Sequence, residues 1–461
     1  MIRSKITSYI VLIAIILQAC SLITADVPLD KVAGRQVFEN ADSAVAAVTG
    51  IYEGIAATTN IFCGGASVYA GIYADELIYT GLSVPVTEFS NSTLNSSNTT
   101  LESIFWSNSY YFLYRANACI EGLAGSQAID KALRDQLMGE AKFLRALLYF
   151  HLIQYFGDVP LVTTTDQAFN ERMARTPVVR IKEAILIDLR DARDLLSPAY
   201  PTGERARVNK LCATALLARF YLYEKNWSQA AAEATAVINS GLYRLMPTDS
   251  VFLINSQEAL LQIQPVIKRY HTMDGQMFIP SGNITPNFAL TPALLKTFEA
   301  GDKRKTSWIA SKKVNGVSYS YPFKYKKRPD ASTEVKLSEY TVLLRLAELY
   351  LIRAECYAVS GELSAAISDV DAIRQRAGLP LISNTQAGIN AADLLTIILH
   401  ERRTEYFAEL GHRWMDLKRT GQAGSILQVL KQGWKSSATL WPIPAAQIGL
   451  NSSLVQNPGY Y

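Results

Sequence analysis

Apolar residues recur at i, i+3, i+4 and i+7 through most of the chain, in long stretches free of proline. That spacing puts one apolar stripe on each segment, so the sequence predicts a mainly α-helical protein. Helices are expected near 41–58, 104–124, 130–156, 178–196, 206–224, 227–240, 292–298, 339–359, 362–377 and 391–410. Between them lie two long stretches without this period. Residues 60–103 mix Gly, Ser, Thr, Asn and aromatics and end in the hydroxyl- and amide-rich run Ser90 to Thr100, which reads as a long surface loop. Residues 245–338 alternate short β-like pieces, Ala259 to Pro265 and Val317 to Lys326, with Pro and Gly turns.

Two of the helical pairs share one ruler. Ala218, Tyr221, Ala230, Ala234 and Val237 stand at the same mutual spacing as Ala354, Tyr357, Ala366, Val370 and Ile373. Small residues at these places let the two helices of a pair cross closely, and Tyr221 and Tyr357 are expected to fill the groove between successive helices. The pattern is that of tetratricopeptide repeats, with turns at Lys225-Asn226-Trp227 and Val359-Ser360-Gly361. Two such units are too few for a free-standing solenoid, so they must pack on the rest of the chain.

The first residues change the picture. Arg3 and Lys5 precede an apolar run from Tyr9 to Leu17, too short for a permanent bilayer span and built like the core of a secretory signal. Leu17-Gln18-Ala19-Cys20 resembles a bacterial lipobox, which makes 1–19 a cleaved leader and Cys20 an acylated first residue of the mature protein. Arg3 and Lys5 leave with the leader, so 45 basic residues become 43 against 41 acidic ones. Near-neutrality gives no sign of nucleic acid as a partner. Cys63, Cys119, Cys212 and Cys356 are far apart in apolar surroundings and read as buried free thiols, with no CxxC pair among them.

Signals for catalysis are lacking. His400-Glu401 begins like a zinc-protease helix, but the second histidine would fall at 404, which is Thr404. Asp75 and Glu76 are adjacent, whereas glycosidase carboxylates must flank a bond across a cleft. No nucleophile elbow, phosphate loop or dinucleotide fingerprint is present, so neither an enzyme nor a cofactor is expected.

Gly139-Glu140-Ala141-Lys142-Phe143-Leu144-Arg145-Ala146 leads to Tyr155-Phe156-Gly157-Asp158-Val159-Pro160-Leu161. Further landmarks follow in order: Asp302 and Arg304, Arg345 to Glu355, Glu401-Arg402 with Glu405, Gly411, Arg413-Trp414 with Asp416-Leu417 and Arg419, Pro442-Ile443-Pro444 and Gln456-Asn457-Pro458-Gly459-Tyr460. Together they resemble the SusD/RagB family of nutrient-binding outer-membrane lipoproteins of Bacteroidetes. The resemblance implies an all-α SusD-like fold, with tetratricopeptide-like pairs on one side and long ligand-binding loops and short strands on the other. It implies one domain over 20–461, an N-terminal part of about 20–240 and a C-terminal part of about 241–461. It also implies non-catalytic capture of an oligosaccharide or polysaccharide at the cell surface and delivery to a SusC-type TonB-dependent transporter, with the protein held on the outer membrane by its lipid. A RagB-like peptide receptor or a tetratricopeptide adaptor for a partner protein are the alternatives. The signature residues themselves read as scaffold: Glu140 with Arg145, and Glu401 with Arg402, Glu405 and Arg413, as ion pairs between helices, and Gly157 and Gly411 as helix ends.

A sugar site needs aromatic faces for the C–H side of a pyranose and polar groups for its hydroxyls. The candidates are Asp75 and Tyr79 from the first irregular stretch and Tyr270, Phe278 and Trp308 from the second, since these lie outside any helical stripe.

Overall fold

The computed structural model describes residues 36–267, 271–329, 336–386 and 388–460. Cys20 and its leader lie outside them. The helices that position the rest are α1 (Ala41–Ala57), α2 (Val84–Asn91), α3 (Asn108–Gly125), α4 (Lys131–Phe156), α5 (Val178–Leu195), α6 (Lys210–Tyr223), α7 (Trp227–Ile238), α8 (Met273–Phe278), α9 (Lys303–Trp308), α10 (Leu346–Val359), α11 (Leu363–Ala377), α12 (Ala391–Tyr406), α13 (His412–Arg419) and α14 (Ala423–Leu430). Side-chain caps start many of them. Asn40, Asp130, Asn209 and Asn390 each accept from backbone N–H groups of the first turn, satisfying donors that a helix leaves open.

Neighbouring helices stack in the order α4, α5, α6, α7, α10, α11. The repeat ruler holds: Ala218, Ala230, Ala234 and Val237 are buried in the first pair, and Ala354, Ala366, Val370 and Ile373 in the second. Lys225 takes a left-handed φ of 55° in the first turn and Gly361 one of 82° in the second. Tyr221 is buried as a wedge, with its hydroxyl accepting from Arg190 at 3.0 Å. Tyr357 differs, remaining partly exposed beneath the Arg353 guanidinium, 5.8 Å from its ring centre.

Among the stretches that depart from the sequence expectation, Ala66–Tyr73 is a buried helical segment within 60–103. Val84–Asn91 is helical inside the expected loop, with Pro at its first turn, Val86 and Phe89 buried, and Ser92 at φ 55° ending it. Thr341–Arg345 is a strand rather than a helix start. All its residues are buried, and it pairs antiparallel with Ala259–Ile263, so β-branched Thr341 and Val342 fill a two-sided interior.

Buried charge ties the C-terminal half together. Glu405 accepts from Arg345 and Arg376 at 2.5 Å each, and Glu401 from Arg304 at 2.7 Å and Arg374 at 2.6 Å. The partners differ from those the signature suggested. Arg402 binds Asp416 at 2.8 Å, Arg145 forms a fork with Asp188, and Glu140 takes Arg207 and the Tyr52 hydroxyl. Sequence neighbours on a helix point apart, so each charge reaches a partner on another segment. The chain then returns on itself. Trp441 stacks on Tyr155 with ring centres 4.4 Å apart, and the Asn457 amide donates to the carbonyls of Phe156 and Trp441 at 2.9 and 2.7 Å.

Candidate ligand-binding surface

The two irregular stretches meet. Strand β1 (Leu77–Tyr79) pairs antiparallel with β3 (Phe288–Leu290), placing Leu77 opposite Leu290 and Tyr79 opposite Phe288; strand β2 is Ala259–Ile263. Thr80 extends the joint, with its N–H donating to Asn287 O at 3.0 Å and its hydroxyl to Pro286 O at 2.7 Å. The hairpin of β4 (Ile309–Val314) and β5 (Val317–Pro322) packs against β3, and Lys312 donates to the Gly282 carbonyl. Alternation along β1 buries Leu77, exposes Ile78 and leaves Tyr79 partly covered.

Tyr79 lies stacked on Phe288 with centres 5.6 Å apart, and Phe278 meets Phe288 edge-on at 6.4 Å. The Tyr79 hydroxyl accepts from Ser83 N–H at 2.9 Å, which folds the chain back into α2. Tyr79 leans on the core, while Ile78, its neighbour on the strand, points to the other side; Ile78, Leu82 and Ile284 are exposed by 42, 97 and 62%. Ser83, Asn283 and Asn287 are exposed beside them. The face thus joins apolar contact area to hydroxyl and amide groups on hydrogen-bonded strands, the mixture that a ring-shaped, hydroxyl-rich ligand requires.

The sequence-nominated residues divide. Tyr79 lies on the face and Phe278 is buried beneath it, supporting Phe288. Asp75 belongs to the interior, against expectation: it accepts from Arg403 at 2.6 Å and from Arg413 at 2.7 and 3.0 Å. Burial opposes its ionisation, but the Arg413 hydrogen bonds and the charges of Arg413 and Arg403 outweigh that and hold its carboxyl below the usual range. Trp308 is also a correction. It is 0% exposed, donates from Nε1 to Thr248 O at 2.6 Å, and holds the Lys324 ammonium 4.8 Å from its ring centre. Tyr270 lies outside the described residues.

Ile78, Leu82, Ile284 and the exposed amides went unnoticed in the sequence. Their only signal was apolar residues set in a run of turn formers, such as Gly81-Leu82-Ser83. Beneath the face, Glu76 is buried and accepts from Ala408 N–H at 3.2 Å. Burial, with the Asp75 charge adding to it, pushes its carboxyl up to about 8. Asp274, at the start of α8, is pushed up by burial to about 6 while accepting from Gly64 N–H. Neither carboxyl faces an open cleft, and among the described residues no group of three or more His, Cys, Asp or Glu is placed to hold a metal ion.

Two family models match the chain. One, described as the SusD family, covers residues 296–460, and the other, described as starch-binding associating with outer membrane, covers 68–222. Together they take in most of the chain, including β1 but not β3. The chain belongs to the SusD family. A SusD-like protein of Formosa agariphila, P2, is 27% identical across 99% of this chain and all of its own length. The fold is that of a SusD superfamily protein from Bacteroides vulgatus, with a TM-score of 0.81 at 21% identity over 91% of this chain and 99% of that one. A solved laminarin-binding SusD-like protein superposes with a TM-score of 0.76 at 25% identity, over 91% of this chain and 99% of its own. The SusD-like architecture is therefore the observed one: mainly helical, with few short strands.

Proposed function

We propose that this SusD-family protein captures an oligosaccharide or polysaccharide without catalysis, through the face formed by β1, β3 and the 281–287 loop. The observation that carries the reading is the β1–β3 joint. It braces adjoining segments that carry a partly covered aromatic ring, exposed apolar side chains and exposed hydroxyl and amide groups, which supports this reading. Family membership and a laminarin-binding relative support a glycan as the ligand class. The outer-membrane association in the family description accords with the lipobox at Cys20 and with anchoring there by lipid. In this reading the protein displays its ligand outward and passes it to a SusC-type TonB-dependent transporter.

The test is retention of the mature protein in native gels cast with a panel of polysaccharides that includes a β-glucan. Wild type should be slowed by at least one, and Leu82→Ser with Ile284→Ser should lose most of that retention while melting as wild type does, since both side chains are exposed. Failure to bind every glycan, together with capture of peptides, would replace this reading with the peptide receptor. Retention unchanged in the double variant would move the site off this face.

A further inference from the structure

Deep in the molecule, six side chains from four helices converge. They are His151 and Tyr155 on α4, Arg219 on α6, Arg402 and Tyr406 on α12, and His412 on α13, each 3% exposed or less. His412 lies against Tyr406 with ring centres 4.6 Å apart, and the Arg402 guanidinium is 5.8 Å from the same tyrosine ring. His151 stacks on Tyr155 at 6.4 Å. Tyr155 Oη in turn approaches Gly411, next to His412, so closely that a Cβ at 411 would sit 2.9 Å from it. Burial, and then the charges of Arg219, Arg402 and Arg345, hold the His412 imidazole neutral, and burial with Arg219 takes His151 down to about 3.

Several polar groups of this cluster have no partner among the described residues. Arg219 grips Glu348 through Nε at 2.7 Å and Nη2 at 2.6 Å, leaving Nη1 without an acceptor among the described residues. Arg402 gives only Nε to Asp416, whose other oxygen is taken by Arg419, so both Nη groups lack acceptors too. The Tyr155 and Tyr406 hydroxyls, His412 Nδ1 and both ring nitrogens of His151 likewise have no partner among the described residues. A guanidinium nitrogen only donates, and a buried donor left unpaired forfeits the hydrogen bond that water would give it. Water could serve the neutral imidazoles and the tyrosine oxygens, which can accept its hydrogens, whereas the two guanidinium groups only donate. An inorganic anion accepts from many donors and donates to none.

We propose that this cluster binds a small monovalent inorganic anion of halide size between Arg219 and Arg402. Such an ion would join the helical stack, through α4 and α6, to the α12–α13 corner. The proposal is independent of the glycan ligand. Crystals of the mature protein grown without halide and soaked in bromide should show an anomalous peak within hydrogen-bonding distance of Arg219 Nη1 and an Arg402 Nη. Density there without anomalous signal, fitting water only, overturns the proposal. In solution, bromide or chloride should raise the melting temperature saturably relative to gluconate at equal ionic strength, as expected for a ligand of the native state alone. Tyr406→Phe, which keeps the ring and removes one donor, should weaken that dependence. If Tyr406→Phe fails to fold, the bromide peak in wild type still decides. A rise of equal size with every salt is a general salt effect and also overturns it.

Discussion

Asp75 and Arg413 are 338 residues apart in the chain and share a forked ion pair, Nε to Oδ1 at 2.7 Å and Nη2 to Oδ2 at 3.0 Å. With Arg403 on the same carboxylate, this pair fastens the root of β1 to α12 and α13. Asp75→Asn would leave two guanidinium groups buried without their anion, and breaking such a pair from one side costs about 3–5 kcal/mol. Urea unfolding near pH 7 measures it; a loss below about 0.5 kcal/mol, the range of ordinary surface changes, would show the pair to be dispensable. The pH dependence has a definite sign. The folded carboxyl titrates below its unfolded value, so its contribution is present above that unfolded value, roughly pH 3.9, and is lost as pH falls through the folded one. The variant should therefore lose less stability on acidification than the parent.

Glu76, next in sequence, behaves in the opposite sense. Its folded-state value, pushed up to about 8, exceeds the unfolded one, so stability is fully present below about pH 4.3 and is lost as pH rises through 8. Glu76→Gln keeps the shape and removes the titration. The variant should gain on the parent by a few kcal/mol between pH 5 and pH 9 in paired urea titrations. Parallel stability curves would mean that Glu76 is ionised throughout.

Trp308→Ala tests the interior. A fully buried indole that donates to Thr248 O and faces Lys324 should cost about 3–5 kcal/mol when truncated. The melting temperature should fall sharply, and the protein that remains folded should keep its glycan retention. Normal stability with lost retention would put the indole at the ligand after all.

Cys20→Ala addresses the anchor. If the thiol carries lipid, the variant should lose metabolic fatty-acid label and leave the membrane fraction, because buried acyl chains supply that affinity. Label and fractionation identical to wild type would exclude lipidation at this position.

The long helices were legible because their stripes face a core made by their sequence neighbours, as for Ala218 and Ala230 or Ala354 and Ala366. The β-like pieces at 259–265 and 317–326 also appeared, as Ala259–Ile263 and Val317–Pro322. The site was legible only by region. Asp75 looked free because its partners, Arg403 and Arg413, stand more than 300 residues away. Trp308 looked like a loop aromatic because Thr248 and Lys324, which enclose it, belong to other segments. Tyr79 was nominated because it lies beyond a helical stripe, and it stays partly open beside Phe288; the same reasoning passed over Leu82 and Ile284, which are exposed.

The return of residues 441–457 onto α4 has a consequence in time. Tyr155 and Phe105 form two walls against which Trp441 packs, and Asn457 closes the carbonyl end of α4. A chain growing from its N-terminus holds that hydrophobic seam open until its last few dozen residues are made. Native closure must follow synthesis rather than accompany it. If residues 1–19 direct export, that delay would leave the chain loose enough to be threaded through a translocation channel before the seam shuts.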